Sequence, residues 1–184
     1  MNKLPNDFWD KVGEFELILQ QFNKIHSLTN YNDIKPVVED SIKPLEFLDI
    51  SPKIVCDVGS GAGFPAIFLS LILQTSEFHL YEPIAKKSSF LTYVKTKLGL
   101  KNIIVHQKKL ENSTKFIADL ITSRALMKTQ FLLKICSGFY DENTNFLLYK
   151  GSLAKDEIDD LECQKDIIKS KAHRNYIFLK GIKC

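Results

Sequence analysis

Asp57-Val58-Gly59-Ser60-Gly61-Ala62-Gly63-Phe64-Pro65 decides how the rest of this chain is read. Just before it, Ile54-Val55-Cys56 is apolar and short, as a strand buried on both faces would be. Just after it, Pro65 to Leu73 has a helical pattern. A strand that runs through closely spaced glycines into a helix is the opening unit of an open α/β sheet. Outward from that unit the alternation continues. Strands are expected at 78–81, 102–106, 118–122 and 145–149, with helices at 84–98 and 126–139. Upstream, Phe8, Val12, Phe15, Leu19 and Phe22 recur at helical spacing and predict a helix over 7–26. A second helix is expected over 33–49, broken near Pro36 and Pro44. Downstream, 153–162 reads as a charged helix, and 165–170 with 175–182 as an antiparallel hairpin at the sheet edge. The chain is therefore expected to be a single α/β domain over 1–184, with a helical cap at 1–50 and a sheet core at 51–184.

The glycine turn narrows the ligand. A dinucleotide fingerprint needs a third glycine where Phe64 stands, which makes a nicotinamide oxidoreductase the weakest candidate. A P-loop needs Gly-Lys followed by Ser or Thr, and the chain has none. The spacing present, D-x-G-x-G-x-G, is the form used for S-adenosylmethionine, which carries no pyrophosphate. Glu82, at the end of the second strand, supplies the carboxylate that can accept hydrogen bonds from both ribose hydroxyls. An adenosyl cofactor is the expectation.

Composition bounds the class. An apolar fraction of 45% and a charged fraction of 26% suit a globular protein. No run of about 18 apolar residues suggests a membrane span, and Met1 to Asp7 lacks the order of a signal peptide, so a cytoplasmic location is expected. Cys56, Cys136, Cys163 and Cys184 are scattered, as are His26, His79, His106 and His173, so no metal site is expected and the cysteines should be thiols. The net charge of +3 is unevenly spread. Residues 1–50 hold 5 Lys against 9 Asp and Glu, a balance of −4, and the remainder carries +7. Between Lys86 and Lys115 eight lysines face one acid, Glu111. Such a stretch suits a polyanion, and equally a solvated face.

Absences bear on the acceptor. Enzymes that methylate exocyclic amines usually carry Asn/Asp-Pro-Pro-aromatic after the fourth strand, where this chain has Thr122-Ser123-Arg124-Ala125. Cys56 falls in a strand and Cys136 in a helix, so neither is placed as a pyrimidine-C5 nucleophile. Guanine N7 has an in-plane lone pair and no proton, so positioning alone can serve it.

These residues together resemble the ribosomal small-subunit guanine-N7 methyltransferases, also called the glucose-inhibited division protein B family. The resemblance spans nearly the whole chain. Asp57 to Pro65 is similar to the family's D-V-G-[TS]-G-A-G-F-P, and Tyr81-Glu82-Pro83 with Lys86-Lys87 and Phe90-Leu91 to its V-E-P…K-R…F-L. Gly99 to Asn102, Lys109-Leu110-Glu111, Ser123-Arg124-Ala125, Tyr149-Lys150-Gly151 and Arg174 with Ile177 to Lys180 follow in register. Upstream, Phe22-Asn23-Lys24, Leu28-Thr29 and Asp40-Ser41 resemble W-N-K, L-T and D-S. Ser27, Val37 and Ala66 depart from the family's Asn, His and Gly. The resemblance implies a Rossmann-like class I S-adenosylmethionine-dependent methyltransferase fold. It implies that Gly59, Gly61, Gly63 and Phe64 line the methionine and ribose, and that Glu82 holds the ribose. Leu110 and Glu111 would flank the adenine, and Arg124 would stand beside both cofactor and base. It implies that Lys86, Lys87, Lys109 and Arg174 meet phosphates of 16S ribosomal RNA in the small subunit, with the protein a monomer. The bland alternatives are a salt bridge for Arg124, solvated lysines, and core packing for Trp9 and Phe15. Two other functions stay open: a methyltransferase of the same fold acting on a small molecule or protein, and a non-catalytic ribosome- or RNA-binding module.

Overall fold

A computed structural model describes residues 3–169 and 174–183; Cys184 and His173 lie outside them, as does residue 170, the end of one expected strand. The chain opens with α1 (Phe8–His26), in which Phe8, Val12, Phe15 and Leu19 form the buried stripe. Its last turn is closed twice: Ser27, at φ 49°, donates its amide to the Asn23 carbonyl, and Lys86 Nζ donates to the His26 carbonyl at 2.7 Å. The Asn23 carboxamide then bonds both the amide and the carbonyl of Thr29 (3.0 and 2.7 Å), fixing the loop that follows. The expected second helix is α2 (Lys35–Ile42) followed by a 3-10 turn, Lys43–Glu46, whose change of pitch falls at Pro44.

The core alternates as the sequence suggests: β1 (Ile54–Val58), α3 (Ala66–Ile72), β2 (Glu77–Tyr81), α4 (Ala85–Lys97), β3 (Ile103–His106), β4 (Leu120–Arg124), α5 (Thr129–Ile135), β5 (Asn145–Lys150), β6 (Gln164–Lys169) and β7 (Asn175–Lys180). The strands join one sheet in the order β3-β2-β1-β4-β5-β7-β6. The first five are mutually parallel, and β7 runs antiparallel to both β5 and β6. The terminal hairpin is thus present, with its last strand inserted between β5 and β6.

Alternation along each strand sorts the side chains onto two apolar layers. Val55, Phe78, Leu80, Leu120, Leu147 and Tyr149 face the layer built with α1 to α4. Cys56, Val58, Tyr81, Ile121, Phe146 and Leu148 face the layer that holds Leu132 and Leu133 of α5 and Cys136 at its end. The cap does not lie flat on the sheet. Phe15 is fully buried among Phe64, Phe68 and Phe90, so α1 packs on α3 and α4. The cap reaches the sheet through α2, where the Ser41 carbonyl accepts from Tyr149 Oη at 2.5 Å and Asp40 Oδ1 from Tyr176 Oη at 2.7 Å.

One expected element is absent. The stretch 153–162 forms a 3-10 turn, Ser152–Ala154, and further turns instead of a helix. Lys165 Nζ, from β6, takes the carbonyls of Ile158, Asp159 and Leu161 at 2.6–3.0 Å. A side chain thereby satisfies acceptors that a longer helix would have bonded internally. Helix α5 is also shorter than its pattern, beginning at Thr129.

Among the described residues no helix is long and apolar enough to cross a membrane, and no group of three His, Cys, Asp or Glu is placed to hold a metal. Cys56 and Cys136 are buried thiols, and Cys163 is a half-buried one.

Candidate functional site

At the carboxyl ends of β1, β2 and β4 a cavity of about 440 Å³ opens. One wall is Gly59, Ser60, Gly61, Ala62 and Phe64 with Glu82, Pro83 and Ile84. The lining also includes Leu28, Thr29 and Tyr31 from the loop after α1, Arg124, Ala125, Leu126 and Arg174, and Lys87 of α4. Binding at strand ends is where an open α/β sheet places a ligand.

The turn is held by its own amides. Gly59 and Ser60 both donate to the Tyr81 carbonyl (2.9 and 3.1 Å), and Gly63 donates to the Ser60 carbonyl (2.8 Å). Gly61 donates to Glu82 Oε2 at 2.8 Å. Glu82 Oε1 accepts from Ile84 N at 2.9 Å. Four turn amides are therefore committed inside the protein, whereas a pyrophosphate site requires them free. Gly59 needs to be glycine on two counts. Its φ is +73°, and a Cβ there would lie 2.7 Å from Leu126 Cδ1. Gly63, at φ +91°, would strike Ile67 Cγ1 at 2.6 Å, so it serves close packing of the turn on α3.

Beneath the turn sits Asp57, 1% exposed. Thr122 Oγ1 donates to its Oδ1 at 2.5 Å. Its Oδ2 meets no hydrogen-bond donor among the described residues. Burial pushes this carboxyl up to about 6 against the Thr122 and Ser60 hydrogen bonds, and the charge of Glu82 adds to the rise. Two carboxyls at the heads of β1 and β2 give the turn side of the cavity a negative field. That field suits a cationic sulfonium nucleoside with an amino acid tail and opposes a pyrophosphate. The residues present thus fit S-adenosylmethionine.

Around Arg124 the cavity is cationic and aromatic. Arg124, its side chain 6% exposed, donates from Nη1 to Ser41 Oγ at 3.1 Å, and its Nη2 lies 3.4 Å from Asp40 Oδ2. Arg174 Nε lies 3.0 Å from the same oxygen. Asp40 therefore faces two guanidiniums with one negative charge while accepting from Tyr176, and α2 supplies the counter-charge for a sheet residue. Burial, and then the neighbouring Arg174 charge, lower the Arg124 pKa from its ordinary value, while Asp40 opposes the fall. Arg124 stands 5.9 Å from the Tyr31 ring and 6.0 Å from that of Phe64. It is at once the salt bridge and the cavity residue, two readings the sequence leaves as alternatives.

The loop after β4 is pinned from behind. Lys150 Nζ donates to the Met127 carbonyl and, at 2.8 Å, to Glu157 Oε2. Glu157 Oε2 also accepts from Thr129 N and Oγ1, both at 2.9 Å. Burial resists ionisation of Glu157, but the hydrogen bonds from Lys150 and Thr129 outweigh it and hold its pKa below the ordinary value. This cluster sets where Leu126 hangs over Gly59.

Of the residues singled out by sequence, the cavity brings together Gly59, Gly61, Phe64, Glu82, Lys87, Arg124 and Arg174. Gly63 sits one layer below, against Ile67 and Leu91. Leu110 and Glu111 begin a 3-10 turn beyond β3; Leu110 is buried in the α5-side layer, Glu111 is exposed, and neither lines the cavity. Lys109 is exposed beside them. Lys86 is exposed, and its ammonium donates to the His26 carbonyl at the end of α1. Phe15 is core, and Trp9 is 43% exposed beside the Lys35 ammonium, outside the cavity. Sequence reasoning missed Tyr31 and Leu126, for which no motif speaks. It also missed the role of Asp40, although the Asp40-Ser41 pair was visible.

Comparison with known proteins agrees with this geometry. The family model for rRNA small subunit methyltransferase G matches residues 10–181. The chain is 74% identical to the ribosomal RNA small subunit methyltransferase G of Campylobacter fetus subsp. fetus, over 98% of this chain and 99% of that one. It is 34% identical to the protein of the same name from Aliarcobacter butzleri, over 98% and 94%. Among solved structures, a SAM-dependent methyltransferase from Aquifex aeolicus superposes with a TM-score of 0.69 at 14% identity, covering 89% of this chain and 98% of that one. The seven-stranded sheet is thus a Rossmann-like methyltransferase fold.

Proposed function

The chain belongs to the rRNA small subunit methyltransferase G family, and from that premise we propose that it methylates N7 of a guanine in 16S ribosomal RNA. It is a methyltransferase, and its cofactor is S-adenosylmethionine. The observation that carries the site assignment is one cavity shared by the Glu82-anchored glycine turn and the Asp40-paired Arg124.

When bound, the cofactor supplies an electrophilic methyl group on a positively charged sulfur. Gly59, Gly61 and Phe64 would hold its methionine and ribose, and Glu82 would offer each ribose hydroxyl an acceptor. Leu110 and Glu111 are assigned to the adenine. Asp57 would add negative charge on the side of the sulfonium. The acceptor nitrogen carries no proton, so no side chain has to remove one, and alignment of N7 with the methyl group supplies the rate. Methylation would place a positive charge on the guanine ring. Arg124 can stand beside that ring because Asp40 offsets its charge. Lys87, Lys109 and Arg174 are assigned to phosphates flanking the base. The reading also takes the chain as one domain, a monomer, acting in the cytoplasm.

The test uses tritiated S-adenosylmethionine, the purified protein and small ribosomal subunits from a strain lacking it. Label should enter 16S RNA at a guanine that borohydride and aniline then cleave, as N7-methylguanosine is cleaved. Label in protein or metabolite fractions alone would sink this reading and favour the small-molecule or protein alternative.

A further inference from the structure

We propose that Tyr31 is the platform on which the acceptor guanine stacks. The inference rests on the reading just given and adds the residue that holds the base. Tyr31 lies on the loop between α1 and α2, 39% exposed, and lines the cavity. Its ring stands edge-on to Phe64, with centroids 5.4 Å apart, and the Arg124 guanidinium is 5.9 Å from it. The ring is thus braced on two sides by groups already fixed: Phe64 packs on Phe15 and Phe68, and Arg124 is held by Asp40 and Ser41. The loop itself is anchored two residues earlier by the Asn23 clamp on Thr29.

Placement decides what this ring serves. Tyr31 enters the cavity from the loop after α1, next to Phe64 and with the Arg124 guanidinium over its ring, and Arg174 lines the same cavity. Two guanidiniums share the single Asp40 carboxylate there, and the surplus positive charge disfavours a sulfonium beside this ring. A nucleotide brings a phosphate and an electron-rich π-face, and both suit it. A base that is to be modified must leave its stack, and an aromatic face replaces the stacking it loses.

Tyr31→Leu removes the ring, and Tyr31→Phe keeps it without the hydroxyl. With small subunits as substrate, Tyr31→Leu should raise KM for the subunit about ten-fold or more, as loss of one base stack does. Tyr31→Phe should restore the wild-type value. Calorimetric affinity for S-adenosylhomocysteine and the melting temperature should be the same in all three proteins. A folded Tyr31→Leu protein with wild-type KM, or a Tyr31→Phe protein as impaired as Tyr31→Leu, overturns the proposal. Should Tyr31→Leu not fold, wild-type protein is irradiated with subunits assembled from 6-thioguanosine-containing RNA. A cross-link on Tyr31 supports the platform, and cross-links confined to other peptides overturn it. Wild-type protein that methylates no ribosomal RNA defeats the broader reading and this one together. Wild-type activity with an indifferent Tyr31→Leu defeats the platform alone.

Discussion

Asp57 shows what the ligand site costs the fold. Its carboxyl sits at about 6 against an ordinary 3.8, so the folded state holds a proton that the unfolded state releases between these values. Stability from this group is fully present below about pH 3.8 and is lost as pH rises through 6. At neutral pH the buried charge costs about 3 kcal/mol. Asp57→Asn keeps an acceptor for Thr122 and removes that charge. Urea denaturation should find the variant more stable than wild type by up to this amount above pH 6.5, with the difference shrinking toward pH 4. The same variant should bind S-adenosylmethionine more weakly in calorimetry, since the field under the turn is reduced. A variant no more stable at pH 7 would contradict the burial argument. Gly59→Val tests the turn directly, because a valine at φ +73° is strained and its side chain meets Leu126. We expect at least a ten-fold loss of cofactor affinity with a stability loss of about 1–2 kcal/mol, and unchanged calorimetric affinity would remove Gly59 from the site. At this scale the glycines and Glu82 were legible because backbone geometry restricts the residue type. Asp57 was read only as part of the motif, since its burial depends on Thr122, which β4 brings alongside β1.

Between elements, the decisive contact is α2 with the ends of β4 and β7. Asp40 takes Arg124 and Arg174 on one oxygen and Tyr176 on the other, so the two arginines are not equivalent to their shared partner under mutation. Arg124→Ala leaves Asp40 still paired, and the fold should lose only about 1 kcal/mol. Methyl transfer to small subunits should fall roughly 10²-fold. Asp40→Ala leaves a guanidinium that is 6% exposed without its counter-charge, and should cost about 3–5 kcal/mol in urea denaturation. Equal stability losses in the two variants would mean that Asp40 is not the hub. The sequence marked both Arg124 and the Asp40-Ser41 pair, yet nothing in one dimension joins them. The same limit explains the missing helix at 153–162 and the late start of α5. The first has its carbonyls taken by Lys165, and the second has its opening amide held by Glu157. Local pattern favoured helix in both places, and side chains distant in sequence decided otherwise.

For the molecule as a whole, the charge asymmetry acquires a geometric meaning. The acidic N-terminal part of the chain supplies α1 and α2, and the basic remainder supplies the sheet, with the cavity at the seam between them. A polyanion should therefore be drawn to the sheet side of that seam, and its affinity should fall steeply with salt. The lysine-rich stretch does not contribute uniformly. Lys87 and Arg174 line the cavity, whereas the Lys86 ammonium closes α1 by bonding the His26 carbonyl. If phosphates sit at the cavity mouth, Lys87→Ala and Arg174→Ala should each lower the slope of log affinity against log salt by about 1. Lys86→Ala should leave that slope near the wild-type value and instead lower the melting temperature, because one capping hydrogen bond is worth about 0.5–1.5 kcal/mol. The measurement is a fluorescence-anisotropy titration of a small-subunit RNA fragment at several salt concentrations, alongside thermal unfolding of each variant. A Lys86→Ala slope reduced as much as that of Lys87→Ala would show that the ammonium leaves the helix end when RNA arrives. The charged surface would then have to be drawn as the whole lysine stretch and not as the rim of one cavity.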